Sequence, residues 1–115
     1  MQTQLNPSEQ TAEQQRAAAR VASLRGSIDR IDEMLVSLIG ERQRLARAVG
    51  TAKRAANLPP IDAGREQGVI DRIAQLGSDH GLTESESRAI SDHLIRLART
   101  TQGLPTVSRR DAAAA

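Results

Sequence analysis

Residues 8–58 contain no proline, and through their middle the aliphatic side chains recur at steps of four and three. Leu24, Ile28, Ile31, Leu35, Leu38, Leu45 and Val49 share one face of a helix at that spacing. Residues 21–56 are therefore expected to form one helix, roughly 50 Å long at 1.5 Å per residue. That exceeds the core of one small domain. Two shorter helices cannot cover such a seam, so the pattern points to a second copy of the same chain. The interruption is chemical: the step after Leu38 lands on Arg42, and the step after Val49 lands on Lys53. An aliphatic ridge that carries two cations needs an explanation.

Upstream, residues 8–20 are helix-prone but nearly without aliphatic anchors, so they are expected to fray. Ser8 is a candidate cap with Glu9 and Glu13 in the first turns, and residues 1–7 are expected to be disordered. The stretch "NLPPIDAG" ends the long helix, because two prolines cannot continue it and bias the preceding residue to extended geometry. Asp62 is a candidate N-cap for a second helix, whose apolar stripe is Val69, Ile70, Ile73 and Leu76. Gly77 and Gly81 are expected to bracket a turn. Thr83, with Glu86 three residues later, is a capping box for a third helix. Its inward ridge reads Ile90, Leu94, Leu97, Ala98 and Gln102.

The expected fold class is all-α, one long helix plus two shorter helices, as an intertwined homodimer. An elongated monomeric hairpin is the alternative. Residues 1–20 then form an N-terminal extension, partly helical or disordered, residues 21–103 the helical domain, and residues 104–115 a flexible tail.

Composition narrows the function. Among 115 residues there is no Phe, Tyr, Trp or Cys. Without aromatic rings the chain has no stacking platform for single-stranded nucleic acid. Without cysteine it has neither a disulfide nor a thiolate nucleophile, which fits a reducing cytoplasm. Sixteen basic and fourteen acidic residues are interleaved, for a net charge of +2, and this reads as a solvated helical surface rather than a nucleic-acid patch. No apolar run approaches a membrane span, and the polar N-terminus is not a signal peptide. His80 and His93 are isolated, without metal-ligand spacing, and no cofactor is expected.

Lys53 lies three helical turns beyond Arg42, on the same face and roughly 16 Å further along the axis. Two long cationic arms so placed can converge on an anion; the plain alternative is that each snorkels to solvent. Arg25 is roughly 25 Å before Arg42 and about a hundred degrees round the helix. It cannot join them from the same straight helix, but it can from an antiparallel partner; alone it reads as a surface residue. The turn "DAGRE" puts Asp62, Arg65 and Glu66 around the start of the second helix, where capping and dipole chemistry already suit the acids. Gln102 is either an amide donor on the inward ridge or a solvated residue in a fraying last turn.

The elements L-R-x3-D-x2-D, E-R-x3-A, G-x-A-K and D-x2-R-E follow in order, and a third helix then ends at Gln102. This series, over about residues 24–102, resembles the all-helical chorismate mutases. The resemblance implies chorismate as substrate, no cofactor, and a homodimer with active sites shared between chains. It implies that Arg25 enters from the partner and, with Arg42, binds the two substrate carboxylates. Lys53 and Gln102 would donate to the ether oxygen, Glu66 with Asp62 close by would hold the ring hydroxyl, and Arg65 would support the carboxylate end. Ala98 departs from the resemblance, standing where such proteins often have a serine that touches substrate.

Conversion of chorismate to prephenate is a Claisen-type rearrangement within one molecule, and it requires no nucleophile, proton transfer or metal. It requires a folded conformer of a flexible dianion, which guanidinium groups can clamp. It also requires stabilisation of negative charge on the breaking ether oxygen, where each preorganised donor is worth about 3–4 kcal/mol. Alternatives of the same fold are an isochorismate-pyruvate lyase and an aminodeoxychorismate mutase; Glu66 and the "DAGRE" turn favour the mutase of phenylalanine and tyrosine biosynthesis. An alternative of another class is a non-catalytic helical dimerisation module, which explains the seam but not Arg42, Lys53 and Gln102 together. Catalysis does not explain the first twenty residues or the basic tail; the resemblance, some of whose members make regulatory contacts with another shikimate-pathway enzyme, implies such a partner here.

Overall fold

The computed structural model describes residues 7–106. They form three helices and no strand: α1 (Pro7–Ala55), α2 (Ala63–Asp79) and α3 (Glu84–Thr101). The all-α expectation is met. α1 starts at Pro7, well before Val21. The Gln, Glu, Ala and Arg residues before Val21 are strong helix formers, and proline is well suited to the first helical position. Residues 1–6 and the tail from residue 107 onward lie outside the described residues, so the disorder and flexibility expected there concern segments not described.

The chain divides between Gly40 and Glu41 into two units. The first is α1 up to Gly40. There Leu24, Ile28, Ile31, Leu35 and Leu38 form the anticipated aliphatic face, and each is between 48% and 62% exposed.

The second unit contains the last turns of α1 together with α2 and α3. Small residues bring α2 and α3 together: Gly77 on α2 and Ser87 and Ser91 on α3 are buried. A Cβ on Gly77 would run into Ser87 Oγ. This corrects the expected turn. α2 continues to Asp79, Gly77 lies inside it, and the turn glycine is Gly81, with φ at 79°. Gly77 serves a close helix approach, for which a side chain leaves no space. Val69, 4% exposed, is the one buried large aliphatic among the described residues.

The caps of α2 and α3 are as the sequence suggested, whereas Ser8 is not a cap, because α1 already starts at Pro7 and holds Ser8 inside its first turn. Asp62 accepts from the Arg65 backbone N–H at 2.9 Å, and Thr83 and Glu86 form a reciprocal capping box. All three helices end alike. Leu58 N–H donates to Lys53 O, Leu82 N–H to Gly77 O and Leu104 N–H to Arg99 O, each at 2.8–2.9 Å. The residue before each leucine (Asn57, Gly81, Gly103) has a positive φ. This is the Schellman motif, which satisfies the last carbonyls of a helix and reverses the chain. At α3 it holds Gln102 as the C-cap, so that residue does not sit in a fraying turn.

Candidate active site

Within the second unit, a cleft of about 590 Å³ opens between the last turns of α1, the start of α2 and the end of α3. Arg42, Lys53, Asp62, Arg65, Glu66 and Gln102 all line it, although they come from α1, the N-cap and first turn of α2, and the C-cap of α3. Ala98 lines it too. Arg25 is exposed in the first unit and is not among the lining residues.

Lys53 sits in the last turn of α1, and the proline loop comes back to it. Its Nζ donates to Pro60 O at 2.8 Å and to Gln102 Oε1 at 3.1 Å. An ammonium has three N–H groups, so one is left. Because lysine only donates, the Gln102 amide must present its oxygen to Lys53, which leaves Nε2 as a donor. The close approach depends on Gly50: a Cβ there would lie 2.9 Å from Gln102 Cγ.

Arg42 is half-buried. Its Nη1 donates to Leu94 O at 3.3 Å, and it forms no ion pair with a carboxylate among the described residues. The neighbouring Gln43 ties the same turn to α3 through Leu97 O at 2.9 Å. Burial pushes the Arg42 pKa below its ordinary value, and the charges of Arg65 and Arg72 add to that. Arginine remains protonated in proteins at neutral pH. The group is therefore a held cation that an anion would stabilise.

Glu66 is already partnered. Arg99 Nε donates to its Oε2 at 2.7 Å and Arg99 Nη2 to its Oε1 at 2.6 Å, a bidentate fork. The hydrogen bonds to Glu66 raise the Arg99 pKa. Sequence reasoning missed Arg99 and also Arg72, which lines the same cleft. Helical spacing carried a signal for both: Arg99 is three residues before Gln102, and Arg72 is two turns beyond Arg65.

Five cationic side chains thus face two carboxylates, and one of those carboxylates is neutralised by Arg99. Leu45, Val49, Ile61 and Leu104 add apolar wall. Among the described residues, no hydroxyl, thiol or imidazole lines the cleft. The arrangement can bind a small polyanion with an apolar body, fix its conformation and present N–H donors at one point.

Fold and site together define an all-helical protein with a cationic cleft for a small anionic molecule. The family model described as chorismate mutase type II matches residues 24–103, and the chain belongs to that family. It is similar to a chorismate mutase of Methanocaldococcus jannaschii, 36% identical over 66 residues that make up 57% of this chain and 67% of that protein. It is also similar to a bifunctional chorismate mutase/prephenate dehydratase of Escherichia coli, 40% identical over 60 residues, covering 52% of this chain and 16% of that protein. An intracellular chorismate mutase of Mycobacterium tuberculosis is 34% identical over 59 residues, with coverage of 51% and 56%. The matched part is thus a small fraction of the bifunctional relative and about half of the mycobacterial one.

Proposed function

We propose that this member of the type II chorismate mutase family rearranges chorismate to prephenate in the cleft of its second unit, as a step of phenylalanine and tyrosine biosynthesis. One observation carries the reading: Arg42 and Lys53 of α1 and Gln102 at the end of α3 line a single cleft, whose lining among the described residues includes no hydroxyl, thiol or imidazole. Arg42 takes a substrate carboxylate. The free N–H of Lys53 and Nε2 of Gln102 meet the ether oxygen as the C–O bond breaks, and they stabilise the charge that develops there. Arg65 supports the carboxylate end, and Glu66 accepts from the ring hydroxyl with Asp62 nearby. Because the donors are held by Pro60 and by each other, little reorganisation accompanies the reaction.

The working unit in this reading is a homodimer. With Val69 the one buried large aliphatic among the described residues and the α1 face about half exposed, a lone chain has little core to offset its conformational entropy. Fully burying each such leucine or isoleucine contributes about 1.5–3 kcal/mol. An antiparallel second copy would cover that face, and the partner's Arg25 would supply the second carboxylate ligand. A cytoplasmic location and contact with another shikimate-pathway enzyme complete the proposal. No helix among the described residues is long and apolar enough to cross a membrane.

The test is to incubate the purified protein with chorismate and, separately, with isochorismate, and to resolve the products by chromatography. Prephenate formed well above the uncatalysed rate supports the mutase. Pyruvate released from isochorismate alone would establish the lyase instead, and inertness toward both would leave the helical dimerisation module. The shared site is tested by mixing Arg25→Ala and Lys53→Ala variants after unfolding and refolding. Random pairing restores about a quarter of the intact sites in a two-fold dimer, whereas a site built from one chain recovers nothing.

A further inference from the structure

Glu66 presents a problem that the proposed function does not resolve. A cleft that receives a dianion is expected to exclude carboxylates, yet Glu66 lines this one, beside the Asp62 that caps α2. Arg99 supplies the answer. It grips both Glu66 oxygens, and its remaining terminal nitrogen, Nη1, donates to Pro105 O at 3.1 Å. Both side chains of the pair are about three-quarters buried, at 23% and 25% exposed.

We infer that Arg99 is a positioning residue: it cancels the charge of Glu66 and fixes that carboxylate, so that the site can accept a hydroxyl hydrogen bond from a substrate that is itself an anion. This rests on the proposed chorismate reading of the cleft. A carboxylate has about four lone-pair sites, and a bidentate guanidinium occupies one on each oxygen. One acceptor site per oxygen therefore remains, and the fork sets its direction. The C-terminal turn contributes to the aim. Gly103 reverses the chain with φ at 73°, which returns Pro105 O to Arg99. The guanidinium is thus held by groups on two sides, a geometry that an ammonium cannot reproduce.

The experiment compares wild type, Arg99→Gln, Arg99→Lys and the Arg99→Gln/Glu66→Gln double variant on chorismate, with circular dichroism to confirm equal helicity. Arg99→Gln leaves Glu66 charged and uncompensated, and should raise KM about tenfold or more while changing kcat less, as loss of a charge-assisted contact does. Arg99→Lys, which keeps the charge without the fork, should fall between wild type and Arg99→Gln. The double variant removes the repelling charge and should recover part of the lost kcat/KM, an effect that a merely structural arginine would not produce. A wild-type KM in Arg99→Gln, or a double variant worse than Arg99→Gln, would overturn the inference while leaving the function intact. A wild-type protein inert toward chorismate would overturn both.

Discussion

Lys53 Nζ lies 3.1 Å from Gln102 Oε1, which joins the last turn of α1 to the cap of α3. This bond assigns the two ends of the amide: Lys53 takes the carbonyl, which leaves Nε2 as a donor, and Lys53 retains one N–H of its own. A donor pair is thereby assembled from two residues that are 49 positions apart in the chain. The space for it exists because position 50 carries no side chain.

Gly50→Ala tests that dependence. The added methyl meets Gln102 Cγ, a flexible side chain that can swing aside. Alanine also favours the helix by about 0.5–1 kcal/mol over glycine. Stability should therefore change little while kcat falls by roughly tenfold to a hundredfold, because a small misplacement of a reacting group is costly. Thermal melting and steady-state kinetics on the same preparation separate the two effects.

The cations of the cleft predict a second behaviour. Arg42 is disfavoured by its burial and by Arg65 and Arg72, so an anion that binds there should stabilise the fold. At a hundredfold excess over Kd the linkage contributes about 2.7 kcal/mol. A dianionic substrate analogue should raise the melting temperature of the wild type. Arg42→Met should melt higher than wild type without ligand and lose most of the ligand-induced rise. Differential scanning fluorimetry with an extrinsic dye measures both at fixed protein concentration.

Ser87 Oγ is buried without a hydrogen-bond partner among the described residues. An unsatisfied hydroxyl costs about 1–3 kcal/mol, and alanine retains the Cβ that packs near Gly77. Ser87→Ala should therefore be neutral or more stable by about 1 kcal/mol in urea denaturation. Gly77→Ala has no space for its methyl group and should lose roughly 1–3 kcal/mol.

Acid stability should depend in part on Glu86. Its carboxylate accepts from the Thr83 backbone N–H at 2.9 Å, and Thr83 Oγ1 accepts from the Glu86 N–H at 3.1 Å. Thr83, through its backbone first and its side chain second, holds the Glu86 pKa below the ordinary value. A depressed folded-state pKa contributes stability that is complete above the unfolded-state pKa and lost as pH falls through the folded one. Glu86→Gln keeps an acceptor but does not titrate. Its melting temperature should drop less than that of wild type between neutral pH and about pH 3.

The comparison of sequence with structure follows the range of each interaction. Asp62 and the Thr83–Glu86 box were legible because a cap is satisfied within three residues. Arg42 and Lys53 were legible because a cation on an aliphatic ridge breaks a pattern. Gly77 was misread: a glycine that ends a helix and one that admits a neighbouring helix look the same, and Ser87, which decides between them, lies on the next helix. Arg99 went unnoticed for a related reason. A charge near a helix end breaks no pattern, and its partner Glu66 is 33 residues away.

The most direct measurement is kcat on chorismate for Lys53→Ala, with the oligomeric state checked by light scattering. Loss of one preorganised donor is expected to lower kcat by about 10²–10³-fold, with helicity and assembly unchanged. A variant that forms prephenate at the wild-type rate would contradict the assignment of Lys53 and Gln102 as the groups that stabilise the breaking bond.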